Sequence, residues 1–156
     1  MFCIIDIETT GGSKRYGKVT EVAIYKHDGQ KVVDSYVSLV NPECDIPYQI
    51  TNLTGISNEM VASAPKFFEI AKHIIDITED CVFVAHNVNF DYGFIQKEFA
   101  ELGYEYNRKT LCTVRETRRW LPGMHSYSLG KLCFQLGIEL NNRHRAAGDA
   151  QATVLL

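Results

Sequence analysis

The chain has 156 residues, a formal net charge of −3, and a composition that is 46% hydrophobic and 22% charged. That length suits one domain, 1–156, with a proper core, and no apolar run approaches the roughly 18–20 residues of a membrane span. The five scattered cysteines form no C-x-x-C pair, which argues against a zinc site or a disulfide framework.

Cys3, Cys81, Cys112 and Cys133 lie in apolar surroundings and read as small core residues. Reduced cysteines and the lack of a basic, apolar leader before Asp6 suggest a cytoplasmic protein.

The stretch Phe2 to Gly12 begins as an apolar, β-branched run of the kind that makes a buried strand. Asp6 and Glu8 interrupt it. Residues two apart share a strand face, so both acids project together. Buried neighbouring carboxylates repel each other, and the segment holds no Lys or Arg to offset them. A divalent cation is the simplest compensation.

Gly11 to Gly17 reads as a loop, and Thr20 to Tyr25 as a second strand. Asp28-Gly29 is a hairpin signal, and Lys31 to Val40 alternates as the returning strand. The result is an antiparallel meander with the first strand inside it. Asn41-Pro42 ends the meander, and the stretch to about Ala64 reads as short helical turns and loops. Pro65 suits the first turn of a helix, which Phe67, Phe68, Ile70, Ala71, Ile74 and Ile75 continue to about Ile77.

Cys81 to His86 is a short continuous apolar strand, expected to run parallel to the first. A helix follows from about Phe90 to Leu102 and stops at Gly103. Leu111 to Val114 reads as a last short strand, followed by a helical stretch through Arg119. Ser128 is expected to cap a helix carrying Leu129, Leu132, Cys133 and Leu136. A final helix runs from about Arg145 and is still amphipathic at Leu156, so the natural protein is expected to continue beyond it. Strands first, then alternating helices and strands, make a mixed α/β fold with the first strand central.

Asp91 falls in the first turn of its helix, just after the second apolar strand. The carboxyl ends of parallel strands open onto one crevice, so Asp91 can face Asp6 and Glu8. It also suits that position as a helix N-terminal anion. His144 and Asp149 are five apart, about 500° of helical rotation, and cannot share a helix face. A His144 placed just before the helix can swing over a site that Asp149 lines. Gly148 suggests that something approaches closely there.

Four acids from three segments and one histidine form a set. All-oxygen ligands suit two divalent cations, Mg²⁺ or Mn²⁺. Such a pair stabilises attacking and leaving oxygens in phosphodiester hydrolysis, and a histidine is fit to deprotonate the water. Arg115, Arg118 and Arg119, with Arg143, His144 and Arg145, are candidate basic patches for nucleic acid. The first group reads equally well as a solvated helix face.

Three stretches now carry a resemblance: Asp6-Ile7-Glu8-Thr9-Thr10-Gly11, His86-Asn87-Val88-Asn89-Phe90-Asp91 and His144-Arg145-Ala146-Ala147-Gly148-Asp149. Together they resemble the three motifs of the DEDDh exonuclease superfamily, which includes the proofreading epsilon subunit of bacterial DNA polymerase III. Leu53-Thr54-Gly55-Ile56 resembles a segment of the polymerase-III-type branch.

The resemblance implies a ribonuclease H-like fold with a mixed five-stranded sheet. It implies 3′→5′ hydrolysis of single-stranded DNA, releasing nucleoside monophosphates, in replication proofreading or repair. Asp6 would bridge two metals, Glu8 and Asp149 would hold the first, Asp91 the second, and His144 would be the general base. Thr9 and Thr10 would contact the terminal nucleotide, and Phe90 would stack on a base or, equally, sit as a core phenylalanine on the inner face of its helix. A DNA polymerase or a further domain after Leu156 is the expected partner, with no membrane involved. An exoribonuclease or oligoribonuclease keeps the same chemistry on RNA, and an inactive nucleic-acid-binding module is the alternative of another class.

Overall fold

Side chains alternate across the first strand and divide the molecule. The structure, a computed structural model, describes residues 1–156. The strand, β1 (Phe2–Thr9), sends Cys3, Ile5 and Ile7 into the main core and turns Ile4, Asp6 and Glu8 the other way. Two strands follow in a meander, β2 (Val19–His27) and β3 (Val32–Leu39). Then come α1 (Tyr48–Thr54), α2 (Asn58–Ala62), α3 (Phe67–Thr78), β4 (Val82–Ala85), α4 (Val88–Glu101) and β5 (Thr110–Cys112). The chain finishes with α5 (Thr113–Trp120), α6 (Leu129–Leu136) and α7 (Ala146–Leu155).

The five strands form one sheet in the order β3-β2-β1-β4-β5. The β1–β2 and β2–β3 pairs are antiparallel, and the β1–β4 and β4–β5 pairs are parallel. The first strand is central, as expected, and the fold is the mixed five-stranded, helix-flanked arrangement of the ribonuclease H-like class.

The two faces differ in what covers them. Against Cys3, Ile5 and Ile7 pack Phe67, Ile70 and Ile74 of α3 and Phe94, Ile95 and Phe99 of α4. Phe99 stacks on Tyr106 at 4.7 Å. The opposite face is covered by α7, which meets β1 and β2 through small residues, Ala146 and Ala150 against Ala23. Close approach of this helix brings Asp149 down onto the acids of β1.

Several local expectations shift. Pro65 precedes the helix: Lys66 is the N-cap, and the Pro65 carbonyl accepts from Asn41 N. Phe68 points outward and is 57% exposed. The α4 helix starts two residues early, at Val88, because Asn87 turns the chain in a left-handed conformation (φ +72°). The last strand is shorter than Leu111–Val114: its pairing ends at Ala85↔Cys112, where β4 stops, and Thr113 is already helical. Ser128 occupies its cap position without a side-chain cap bond; its hydroxyl accepts from Ser126 Oγ. Cys3, Cys81, Cys112 and Cys133 are buried free thiols, as read, and Cys44 is exposed. No helix is long and apolar enough to cross a membrane.

Gly148 is required by packing within the chain. A Cβ there would stand 2.1 Å from the Asn141 carbonyl oxygen and 2.8 Å from that of Asn142. Gly148→Ala is therefore expected to destabilise the fold by about 1–3 kcal/mol, the usual range for overpacking, measured by chemical denaturation.

Candidate active site

Asp6 and Glu8 stand near the carboxyl end of β1 on the face that α7 covers. Asp149 enters from the first turn of α7. Carboxylate oxygens of Asp6, Glu8 and Asp149 all lie within 4.8 Å of one another. Asp149 Oδ2 accepts from the His144 backbone N–H at 3.3 Å, and Asp149 Oδ1 is buried without any hydrogen-bond partner. A buried carboxylate oxygen left unpartnered beside two other acids calls for a cation.

Asp91 stands beside this trio. Strand β4 pairs with β1 only as far as Ile4, which leaves the β1 edge open beyond it. Asp91, 3% exposed, closes that gap: its Oδ1 accepts from Ile7 N, between Asp6 and Glu8, at 3.2 Å. The helix start that delivers Asp91 is braced by Lys14, whose Nζ donates to Asn89 O and lies where a Cβ on Gly93 would be.

These carboxyls are strained electrostatically. Burial, then Asp91, Asp149, Glu8 and Glu21, hold Asp6 well above the usual carboxylate range. Glu8 is pushed up to about 8 by burial and by Asp149, Glu21 and Asp91, against the lowering charge of Arg145. Burial also raises Asp91 to about 8, opposed by its own and the Ile7 backbone N–H groups. Asp149 is raised by burial, while the His144 N–H and charge pull it down. Without cations, Glu8 and Asp91 retain protons near neutral pH.

The chemistry of the donors fits divalent cations: carboxylate oxygens only, crowded, with one oxygen orphaned. His144 sits as expected just outside the helix. It adopts φ +62°, a left-handed conformation uncommon outside glycine, and Arg145 follows as the N-cap.

The buried carboxylate of Glu21 was not anticipated. It lies directly opposite Glu8 in the β1–β2 register and is only 2% exposed. It accepts from Arg145 Nε at 3.1 Å and Nη2 at 2.5 Å, and from Ala146 N at 2.8 Å. The available signal was a lone acid inside the apolar run Val19–Ile24, the same signature as Asp6. The sequence marks His86 as a strand end and part of the second motif, and the structure adds a bracing role. Its Nε2–H donates to Tyr127 O at 2.9 Å, which leaves Nδ1 to accept from Thr113 Oγ1 at 2.9 Å.

The expected nucleotide contacts lie around this core. Thr9 Oγ1 donates to Gly11 O, and Thr10 Oγ1 accepts from Lys18 N, so both hydroxyls shape the loop after β1. A bulge between Glu8 and Thr9 separates the acids from that loop. Phe90 is half-buried, packing on the core and on Phe94 at 4.9 Å.

Two outcomes follow. Glu21→Ala leaves the Ala146 N–H without its acceptor and frees Arg145. We expect a loss of about 1–3 kcal/mol in denaturant unfolding. In a chelator, stability conferred by the proton-holding acids is lost as pH rises. The folded chain keeps protons on Glu8 and Asp91 up to about 8, while the unfolded chain releases them near 4.5 and 3.8. Melting temperature should fall across that window, fall less in Glu8→Gln, and recover with added Mn²⁺.

Residues 3–156 match the family model RNase_T, described as Exonuclease. The chain is 37% identical over 152 residues to a PolC-type DNA polymerase III of Clostridium perfringens, covering 97% of this chain and 10% of that protein. It is 36% identical over 156 residues to the 3′-5′ exonuclease DinG of Staphylococcus epidermidis, covering 99% of this chain and 17% of that protein. The chain thus spans a small part of these relatives. Among solved structures, exonuclease X in complex with 5′ overhanging duplex DNA superposes with a TM-score of 0.80 at 28% identity, covering 99% of this chain and 89% of that one. E. coli exonuclease I in complex with a dT13 oligonucleotide shares the fold, with a TM-score of 0.88 at 19% identity over 99% of this chain and 39% of that one. With a family match over nearly its whole length, three motifs in order and their acids gathered at one strand end, the chain belongs to the exonuclease family.

Proposed function

We propose that this exonuclease domain removes nucleoside monophosphates from the 3′ end of single-stranded DNA by metal-dependent hydrolysis. The observation that carries the reading is the convergence of Asp6, Glu8 and Asp149 within 4.8 Å, with Asp149 Oδ1 buried and unpartnered. Asp6, Glu8 and Asp149 would hold one divalent cation, and Asp6 with Asp91 a second, Mg²⁺ or Mn²⁺. When bound, such a pair supplies Lewis acidity toward the phosphate and its attacking and leaving oxygens.

The residues of the chain do the rest. His144 takes the proton from the attacking water, and its position outside α7 lets the imidazole move without disturbing Asp149. Asp149 Oδ2 holds the His144 backbone in place. The loop after β1, shaped by Thr9 and Thr10, and the half-buried ring of Phe90 receive the terminal nucleotide.

DNA is favoured over RNA because the relatives include a DNA polymerase and a structure bound to DNA. Those relatives also support work in replication or repair, as part of a larger protein or beside a polymerase. The test is a 3′-labelled strand, DNA or RNA, incubated with Mn²⁺. We expect mononucleotide release from DNA. His144→Ala should lower kcat by about 10²–10⁴-fold, the usual span for a general base, with KM little changed. Intact strands after incubation with the parent protein would refute the proposal.

A further inference from the structure

The acids occupy one side of the strand-end crevice, and the other side carries opposite charge. Beyond the Asn87–Asn89 turn that leads to Asp91 lies a cleft of about 860 Å³. Arg115 and Arg118 of α5, His125 and Tyr127 of the following loop, and His86 and Asn89 line it, and no Asp or Glu does. In a chain of net charge −3, an acid-free wall beside the turn that carries Asp91 is a local segregation of charge. Cys112, also on the cleft wall, pairs with Ala85 at the end of β4.

The wall is built rather than incidental. His86 ties the end of β4 to Thr113 at the start of α5 and to Tyr127 O in the loop. Tyr127 in turn donates its hydroxyl to Leu121 O and lies under the Arg118 guanidinium, 5.3 Å from ring centroid to Cζ. Arg115 and Arg118 are three apart on one helix face. Neither takes part in an ion pair with a carboxylate of the chain. The acid of α5, Glu116, lines a separate apolar groove with Phe2 and Trp120, near the amino end of β1. Arg119 goes another way, over Trp120. Two free guanidiniums in an acid-free cleft suit phosphate, because the planar fork matches phosphate oxygens and keeps its charge at any working pH.

We propose that this cleft binds the sugar–phosphate backbone of the single strand on the 5′ side of the bond to be cut, with Arg115 and Arg118 as its phosphate ligands. The inference rests on the nuclease reading above. It adds a second subsite: acids take the terminal phosphodiester, and the α5 face holds the strand that feeds it. The division lets the negative crevice accept a polyanion, because the cations that draw the strand in stand apart from the carboxylates that bind metal.

The test compares the parent with the surface double variant Arg115→Gln/Arg118→Gln. Two substrates are used with Mn²⁺: a single-stranded oligodeoxynucleotide, and the p-nitrophenyl ester of thymidine 5′-monophosphate, which reaches only the terminal position. Binding of the same oligonucleotide, fluorescently labelled, is followed by anisotropy in Ca²⁺ across a salt series. For the double variant, kcat/KM on the oligonucleotide should fall about tenfold or more beyond any fall on the nitrophenyl ester. The slope of log affinity against log salt should shallow by about 1.4, the loss of two single-strand phosphate contacts. Equal losses on both substrates, or affinity and salt slope like the parent's, would overturn the subsite. A parent that cuts neither substrate would sink the nuclease reading alone, because the anisotropy arm still decides whether the cleft holds a strand.

Discussion

The Glu21 carboxylate joins the beginning of the chain to its end, and the geometry of the acidic site depends on that junction. A carboxylate that is 2% exposed needs donors. It finds them in the Arg145 guanidinium and the Ala146 N–H. The second of these fixes where α7 begins. With the helix start anchored to β2, Asp149 in its first turn points at β1, and His144 is left outside the first hydrogen-bonded turn. The first donor matters electrostatically too, because Arg145 lowers Glu8 against the acids that raise it. One guanidinium therefore positions the helix and partly offsets the charge gathered under it.

That arrangement is tolerable because the other face of the sheet bears the stability. Cys3, Ile5 and Ile7 belong to a core of large residues from α3 and α4, where full burial of each side chain contributes about 1.5–3 kcal/mol. The face toward α7 carries alanines instead, Ala23 under Ala146 and Ala150. Small residues bury less apolar surface but allow the helix to come close. One strand thus serves two purposes by its period of two: alternate residues hold the sheet, and the residues between them hold charge. The repulsion that remains is a reservoir that cations can relieve.

Much of this was legible in the sequence, and the reasons are specific. Asp6 and Glu8 stood out because charges two apart break an apolar run. Asp91 and Asp149 stood out because helix starts are easy to place after an apolar strand or an Asn-rich loop. The central position of β1 followed from a hairpin signal and a second apolar strand. Glu21 carried the same signature as Asp6 but lacked a visible counterpart. Its partner Arg145 lies 124 positions away, and only the register Glu8↔Glu21 reveals that the two acids face each other. Gly148 marks a place of close approach in the sequence, yet what approaches is the carbonyl of Asn141, a tertiary contact that no local pattern encodes. The shorter β5 has the same origin: strand length there is set by where its partner β4 turns at His86, and residues 111–114 carry no mark of that.

His86 shows how closely the two sides of the crevice are coupled. Burial lowers its pKa, opposed by the Tyr127 carbonyl, which favours the neutral imidazole with one N–H and one lone pair. The N–H goes to Tyr127 O and the lone pair to the Thr113 hydroxyl. A lysine or arginine could donate to Tyr127 but not accept from Thr113, and an asparagine lacks the reach of the ring. The residue that ends β4 thus sets the start of α5 and the course of the loop after it, while the turn that follows delivers Asp91 to β1. Carboxyl ends of parallel strands open to one side, so both consequences appear in the same crevice. Acids arrive through β1, α4 and α7, cations through α5, and a neutral histidine at the strand end keeps the two groups a fixed step apart.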